Sequence, residues 1–171
     1  MATIIAALRR ATQVAVRGPN VMVGYWNKPA ETAAALVDGW YRTGDLGFMD
    51  DEAFVFLVDR AKDMIVTGGE NVYSTDVEDA LYRHPSVLEA AVFGIPDQHW
   101  GEAVHAVVVP RPAVSANELI AHCTGLIASY KVPKTIELRS EPLPKSGAGK
   151  LLKRELREPY WTGAEARVAG S

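Results

Sequence analysis

The sequence predicts an α+β fold, a small domain of strands and helices preceded by a stretch of strands and turns, and three observations predict it. Up to Asp59 the apolar runs are short and sit between turn residues. Beyond Asp63 the order reads β-α-β-β-α-β-α, which packs as a compact α+β domain with a short, mostly antiparallel sheet flanked by helices. Two Ser/Thr-x-x-Glu spacings, Thr75 with Glu78 and Ser115 with Glu118, mark helix starts. The change of character between Arg60 and Asp63 divides the chain into residues 1–61 and 62–171.

In the first part, QVAVR from Gln13 to Arg17 alternates and meets Gly18-Pro19, a short strand entering a turn. PAETAAALV from Pro29 is rich in helix formers, with proline at a tolerated first-turn position and Asp38-Gly39 as the stop. After the turn Asp50 to Ala53, FVFLVD from Phe54 to Asp59 reads as a fully apolar strand. In the second part the spacing predicts a helix from Asp76 to Arg83, ended by Pro85. VLEAAVFGI and AVHAVVV are strands separated by PDQHWGE. Ser115 opens a helix reaching about Ser129, with Leu119, Cys123, Leu126 and Ile127 on one face. TIEL is a last strand, LPKSGAGK a flexible loop and LLKREL the start of a terminal helix, with fraying expected after Pro159.

Composition excludes several classes of function. With 171 residues, 48% of them hydrophobic, the chain suits one ordinary domain or a small domain plus a piece of another. A net charge of -3 provides no field to draw nucleic acid or an anionic membrane, so nucleic acid is not an expected partner. The single Cys123 rules out an internal disulfide and suits a reducing compartment, so a cytoplasmic location is expected. No apolar stretch approaches the roughly 18 residues of a membrane span. In MATIIAALRRATQ the arginines follow the apolar run, the wrong order for a secretory signal. His84, His99, His105 and His122 match no zinc spacing, so no metal site is expected and they read as surface or packing residues. There is no Gly-x-Ser-x-Gly elbow, and Cys123 falls on an apolar helix face.

Three stretches remain as candidate sites. LPKSGAGK places Lys145 and Lys150 in one glycine-bearing loop, but Pro144 and Leu151 break the phosphate-loop pattern, which needs a glycine and a Ser or Thr there. YRTGDLG sets Asp45 between two glycines, where its carboxylate can accept hydrogen bonds from vicinal hydroxyls or simply serve a turn. DRAKDMIVTGGEN alternates charge around Arg60 and Lys62 and carries Gly68-Gly69 before Glu70 and Asn71, a pattern that on its own reads as a solvated surface and a turn.

Taken in order, GYWNKPAETAAAL…DGWYRTGDLG, DRAKDMIVTGGENVYSTDVEDALYRHPSVLEAAVFGIPD, GE…ASYKVP and LPKSGAGKLLKREL closely resemble the AMP-forming acyl-CoA synthetases of the adenylate-forming superfamily. The likeness runs from about Val16 to Arg157, and KDMIVTGGENVY looks most like fatty-acid–CoA ligases, so fatty acids, long-chain ones among them, are the expected substrates, with chain length left open. The resemblance implies a two-step reaction: a carboxylate attacks the α-phosphate of ATP with Mg²⁺ to give acyl-AMP and pyrophosphate, and the CoA thiol then displaces AMP. It implies that residues 62–171 form the family's small C-terminal lid domain and that residues 1–61 are strands of an incomplete β-barrel-like subdomain. By the same resemblance, Asp45 matches the ribose-binding aspartate and Arg60 the arginine that also grips the nucleotide. Lys62 matches the hinge, and Gly68, Gly69, Glu70 and Asn71 the loop that meets CoA. Lys150 matches the catalytic lysine, on a loop expected to be mobile through Gly147 and Gly149.

Three departures qualify that likeness. The family's large N-terminal part, with its phosphate loop, acyl pocket and magnesium-binding glutamate, is absent from these residues, so the chain alone is expected to be inactive or nearly so. It reads as a truncated product, one half of a split enzyme, or an interaction module that docks on an N-terminal ligase domain. Met1 to Thr12 do not resemble what precedes this region in the family. Ala53 stands where relatives commonly carry a turn glycine, which would cost on the order of 1 kcal/mol if φ is positive there. Without its barrel partners the first part is expected to expose apolar side chains and to be the less stable of the two.

Overall fold

Lys62 ends one unit of the chain and Asp63 begins the next: the computed structural model, which describes residues 3–5, 7, 8, 11–111 and 113–162, separates Met1–Lys62 from Asp63–Ser171. The first unit contains β1 (Thr3–Ile5), β2 (Ala7–Leu8), β3 (Thr12–Arg17), α1 (Pro29–Ala35), β4 (Leu36–Val37), β5 (Trp40–Met49) and β6 (Val55–Arg60). These strands form one open sheet in the order β1-β3-β5-β2, with β4 and β6 also paired to β5. All of its pairs are antiparallel except β2 with β5.

One reading of this unit needs correction. The helix opening at Pro29 ends at Ala35 and does not continue to Asp38. Asp38 (φ 51°) and Gly39 (φ 77°) make the kind of two-residue turn that closes a hairpin, so Leu36 and Val37 extend and pair with Tyr41 and Trp40. The strand after the Asp50 turn spans Val55–Arg60, and the apolar exposure expected of this part is present: Phe54 just before the strand is 61% exposed, Leu57 63%, and Trp26 in the loop before α1 89%. The Asp50 turn itself is tightly specified, because Asp50 Oδ1 accepts the Glu52 N–H at 3.0 Å and the Phe54 N–H at 2.9 Å. Ala53 completes it at φ 66°, in the left-handed region that favours glycine.

The second unit contains β7 (Ile65–Thr67), β8 (Glu70–Val72), α2 (Ser74–Tyr82), β9 (Val87–Asp97), β10 (Gly101–Pro110), α3 (Ala116–Thr124), β11 (Thr135–Leu138) and α4 (Lys153–Trp161). β10 pairs antiparallel with β9 along its whole length, parallel with β11, and with β7 at Gly101↔Thr67. Both faces of β9 and β10 are covered, so alternate residues enter different cores. Ala90, Val92, Val104, Ala106 and Val108 join Val77, Leu81, Leu119 and Cys123 from α2 and α3. Ala91, Phe93, Val107 and Val109 join Leu143 and, from α4, Leu156.

The helix ends differ from expectation in ways that tertiary contacts explain. Ser115 caps α3 as predicted, accepting the Glu118 N–H at 3.2 Å. Yet α3 stops at Thr124, leaving Leu126 exposed while Ile127 still packs on the core. At α2 the N-cap is Tyr73, whose side chain makes no capping bond, and Thr75 lies inside the first turn. Glu78 also reaches out of the helix, accepting the Val92 N–H at 2.7 Å and pairing with Lys153 at 2.8 Å. The last helix passes through Pro159 to Trp161, where Tyr160 donates to Glu137 and Trp161 to Gly94 O, so the fraying expected after Pro159 does not begin there; the rest of that expectation lies outside the described residues.

His105 is buried, with Nδ1 2.7 Å from Thr135 Oγ1 and Nε2 without a partner. Burial holds its pKa below the ordinary histidine value, so the ring is a neutral packing group. No described helix is long and apolar enough to cross a membrane.

Relief of the left-handed alanine gives the first testable outcome. Ala53→Gly is expected to stabilise the first unit by about 1 kcal/mol. Its denaturant midpoint should rise, and an unchanged or lower midpoint would show that this turn carries no strain.

Candidate functional site

Asp45 sits within β5 rather than in a free turn, and the sheet itself brings Arg60 to it. Between Gln13↔Leu46 and Ala15↔Arg42 the register shifts, so Thr43, Gly44 and Asp45 form a bulge facing Val14. The Thr43 hydroxyl organises the bulge by donating to Val14 O and accepting the Asp45 N–H, both at 3.0 Å. Gly44 O accepts the Ala61 N–H at 2.9 Å, drawing the end of β6 alongside. Asp45 and Arg60 are then cross-strand partners, and Arg60 Nε lies 3.0 Å from Asp45 Oδ1. The carboxylate side chain is 27% exposed and the guanidinium 46%, so both are open to solvent. Tyr41 lies close enough for Asp45 to affect it. Its hydroxyl pKa is raised, first by a hydrogen bond with Tyr25 and then by the charges and burial around it, Asp45 included.

Lys62 is exposed in the turn that ends the first unit. Beyond it, Gly68 (φ 58°) and Gly69 (φ 84°) form the two-residue turn of the β7–β8 hairpin, with Thr67↔Glu70 closing it. Glu70 and Asn71 therefore lie in a strand and not in the loop expected of them. Gly68 is held by its N–H to Trp100 O at 2.9 Å, and a Cβ there would stand 2.7 Å from the Trp100 ring. Thr67, Gly68 and Glu70 join Trp100, Ser129, Tyr130 and Lys134 around a pocket of about 240 Å³. The Lys134 ammonium is 5.9 Å from the Trp100 ring centroid. Behind the hairpin, Glu102 accepts the Val66 N–H at 3.2 Å, and burial raises the pKa of its carboxyl.

Lys150 lies in a closed hairpin and not in an open loop. Lys145 and Leu151 form an antiparallel bridge. Within it Ser146 N–H donates to Lys150 O at 2.8 Å, Gly149 N–H to Ser146 O at 2.8 Å, and Leu152 N–H to Pro144 O at 2.9 Å. The Ser146 hydroxyl also accepts the Lys150 N–H at 3.2 Å. Gly149, at φ 78°, serves the turn itself. Both ends are tied to the domain. Leu143 is buried and donates its N–H to Glu89 Oε2 at 2.8 Å, while Lys153 reaches Ser74 Oγ and Glu78 at 2.8 Å. Lys145 pairs with Glu89, whose carboxyl is held below its ordinary pKa chiefly by that contact and by the Leu143 N–H. The exposed Lys150 ammonium has no ion pair among the described residues.

The candidate groups therefore form three sets: Asp45 with Arg60, the glycine hairpin with its pocket, and Lys150 on its own turn. Trp100, Tyr130, Lys134 and Glu89 were not singled out from sequence, although an aromatic between two strands in PDQHWGE was a usable signal. Among the described residues no cluster of His, Cys, Asp and Glu could hold a metal ion. Packing at the hairpin yields a direct check. Gly68→Ala should destabilise the second unit by about 1 to 3 kcal/mol through positive φ and collision with Trp100. Urea denaturation followed by tryptophan emission reads this, and an unmoved midpoint would contradict the close contact.

Residues 76–150 match the AMP-binding enzyme C-terminal domain family. The chain is 49% identical over 156 residues to a long-chain-fatty-acid–CoA ligase of Bacillus subtilis, covering 90% of this chain and 28% of the relative. It is 46% identical over 150 residues to a feruloyl-CoA synthase of Amycolatopsis, covering 86% and 30%. The solved o-succinylbenzoate CoA synthetase of Bacillus subtilis, in complex with an acyl-adenylate intermediate, superposes with a TM-score of 0.84 at 38% identity over 91% of this chain and 33% of that one. The chain thus spans about a third or less of the proteins it matches. Its second unit belongs to the AMP-binding enzyme C-terminal domain family, and the chain as a whole corresponds to the C-terminal part of the adenylate-forming acyl-CoA synthetases.

Proposed function

We propose that this chain supplies the lid half of an acid–CoA ligase, residues 62–171 being the lid and residues 1–61 part of the nucleotide-binding body. In the first step the substrate carboxylate attacks the α-phosphate of ATP, the bond to pyrophosphate breaks, and acyl-AMP forms. Asp45 accepts hydrogen bonds from the two ribose hydroxyls, and Arg60, held by Asp45, reaches the nucleotide from the same side. Lys150 places its ammonium where carboxylate and phosphate charge are crowded, stabilising the transition state more than the separated reactants. The single observation that carries this reading is that ammonium: exposed, without an ion pair among the described residues, and set on a pinned turn.

In the second step the CoA thiol displaces AMP. Gly68 and Gly69 let the chain pass close to the pantetheine arm, with Glu70 and Asn71 beside it. The neighbouring pocket suits the nucleotide end of CoA, because Trp100 and Tyr130 offer faces for a base and Lys134 a cation for phosphate. Lys62 serves as the hinge between the two steps. Magnesium, when bound with ATP, offsets phosphate charge, and its ligands would come from a part of the enzyme outside this chain. Long-chain fatty acids are the proposed substrates, supported by the ligase similarity; relatives named for ferulate and o-succinylbenzoate mark the other acids to test. A second reading, an inactive piece that docks on an N-terminal ligase domain, is favoured by the exposed Phe54, Phe56 and Leu57.

Pyrophosphate release and acyl-CoA formation, measured for the chain, a relative's N-terminal fragment and their mixture, separate the two. Activity only in the mixture, with adenylation lowered about 100- to 1,000-fold by Lys150→Ala, is the expected result. A silent mixture, from an N-terminal fragment competent with its own lid, would favour docking without catalysis.

A further inference from the structure

Two lysines share the turn that carries Lys150, and nothing in their local sequence distinguishes them as cations. The fold does. Glu89, on β9, faces the start of the turn with a largely buried side chain, 17% exposed. One of its oxygens, Oε2, accepts the Leu143 N–H at 2.8 Å, and the other, Oε1, takes the Lys145 ammonium. Because Lys145 bridges to Leu151, the neighbour of Lys150, whatever fixes Lys145 also fixes the strand that presents Lys150. The Ser146 main chain and hydroxyl then hold the Lys150 backbone from across the turn.

We propose that Glu89 is a positioning residue for Lys150: it anchors the first arm of the turn and engages Lys145, so that the turn presents one uncommitted ammonium at a fixed place. This rests on the reading of Lys150 as the adenylation lysine. Glu89 itself lies under the turn and need not touch substrate. With Gln in its place one oxygen becomes an NH2 donor and the charge is lost, so Leu143 and Lys145 no longer each have an acceptor, the first arm loosens, and two like charges compete for the same anionic target.

The test begins with the full chain alone, labelled with a trace of acetic anhydride and read lysine by lysine by mass spectrometry. Lys150 should react several-fold faster than Lys145 in the native chain, and Glu89→Gln should bring the ratio close to one, with Glu89→Asp partly restoring it. Equal reactivity in the native chain, or a ratio that Glu89→Gln leaves unchanged, overturns the proposal even if the mixture with an N-terminal ligase fragment is silent. In an active mixture, Glu89→Gln should lower kcat for adenylation roughly tenfold while KM for ATP stays within about twofold. Full activity of Glu89→Gln beside a dead Lys150→Ala would sink the positioning role alone. Full activity of Lys150→Ala would sink the reading of Lys150 instead.

Discussion

The antiparallel ladder of β9 and β10 is the constraint on which the second unit depends. It is buried on both sides, so each strand must alternate between two apolar cores, and β9 does so with Ala90 and Val92 on one side and Ala91 and Phe93 on the other. A one-residue slip would exchange the two sets, misplacing every contact made to helices and turns. The β7–β8 hairpin contributes Ile65 and Val72 to the first core, while the Lys150 turn contributes Leu143 and Leu151 to the second. The same ladder thus carries the two candidate sets of the second unit through different cores. On the proposed reading, such a division suits a lid that acts in one step through a lysine and in the other through a glycine hairpin.

Rigidity at Lys150 follows from how the polar groups around its turn are satisfied. Main-chain bonds within the turn are joined by two carboxylates reached from elsewhere in the fold, Glu89 at its start and Glu78 just beyond its end through Lys153. A buried acceptor left without its donor would cost about 1 to 3 kcal/mol, which favours keeping the turn docked. On the proposed reading, the approach and departure of the lysine would then belong to the unit as a body and to the side chain's own freedom, with Gly149 serving turn geometry.

Much of this was legible in the sequence where the signal is local. The Ser115 cap, the two long strands and the TIEL strand depend on neighbours within a few residues, and the structure has them. Ala53 was legible too, since its missing glycine pointed to the positive φ now seen. Local spacing misled at the start of α2, where Thr75 and Glu78 have the capping-box spacing but the N-cap is Tyr73, and Glu78 also binds Val92 and Lys153. Asp38-Gly39 was read as a helix stop when it is also a hairpin turn, so the strand it creates was missed. Asp45 was visible as a carboxylate between glycines, but the bulge that aims it at Arg60 depends on a register between strands. The partnership of Glu89 with Lys145 spans 56 residues, which no window on the sequence could join.

Amide hydrogen exchange across residues 143–152 in the intact chain tests the central claim most directly. If the turn is a pinned platform for Lys150, the Leu143, Ser146, Gly149 and Leu152 amides should exchange far more slowly than unprotected chain, opening with the second unit. Exchange of those amides at the free-chain rate, while β9 and β10 stay protected, would mean that Lys150 rides on a loose loop after all.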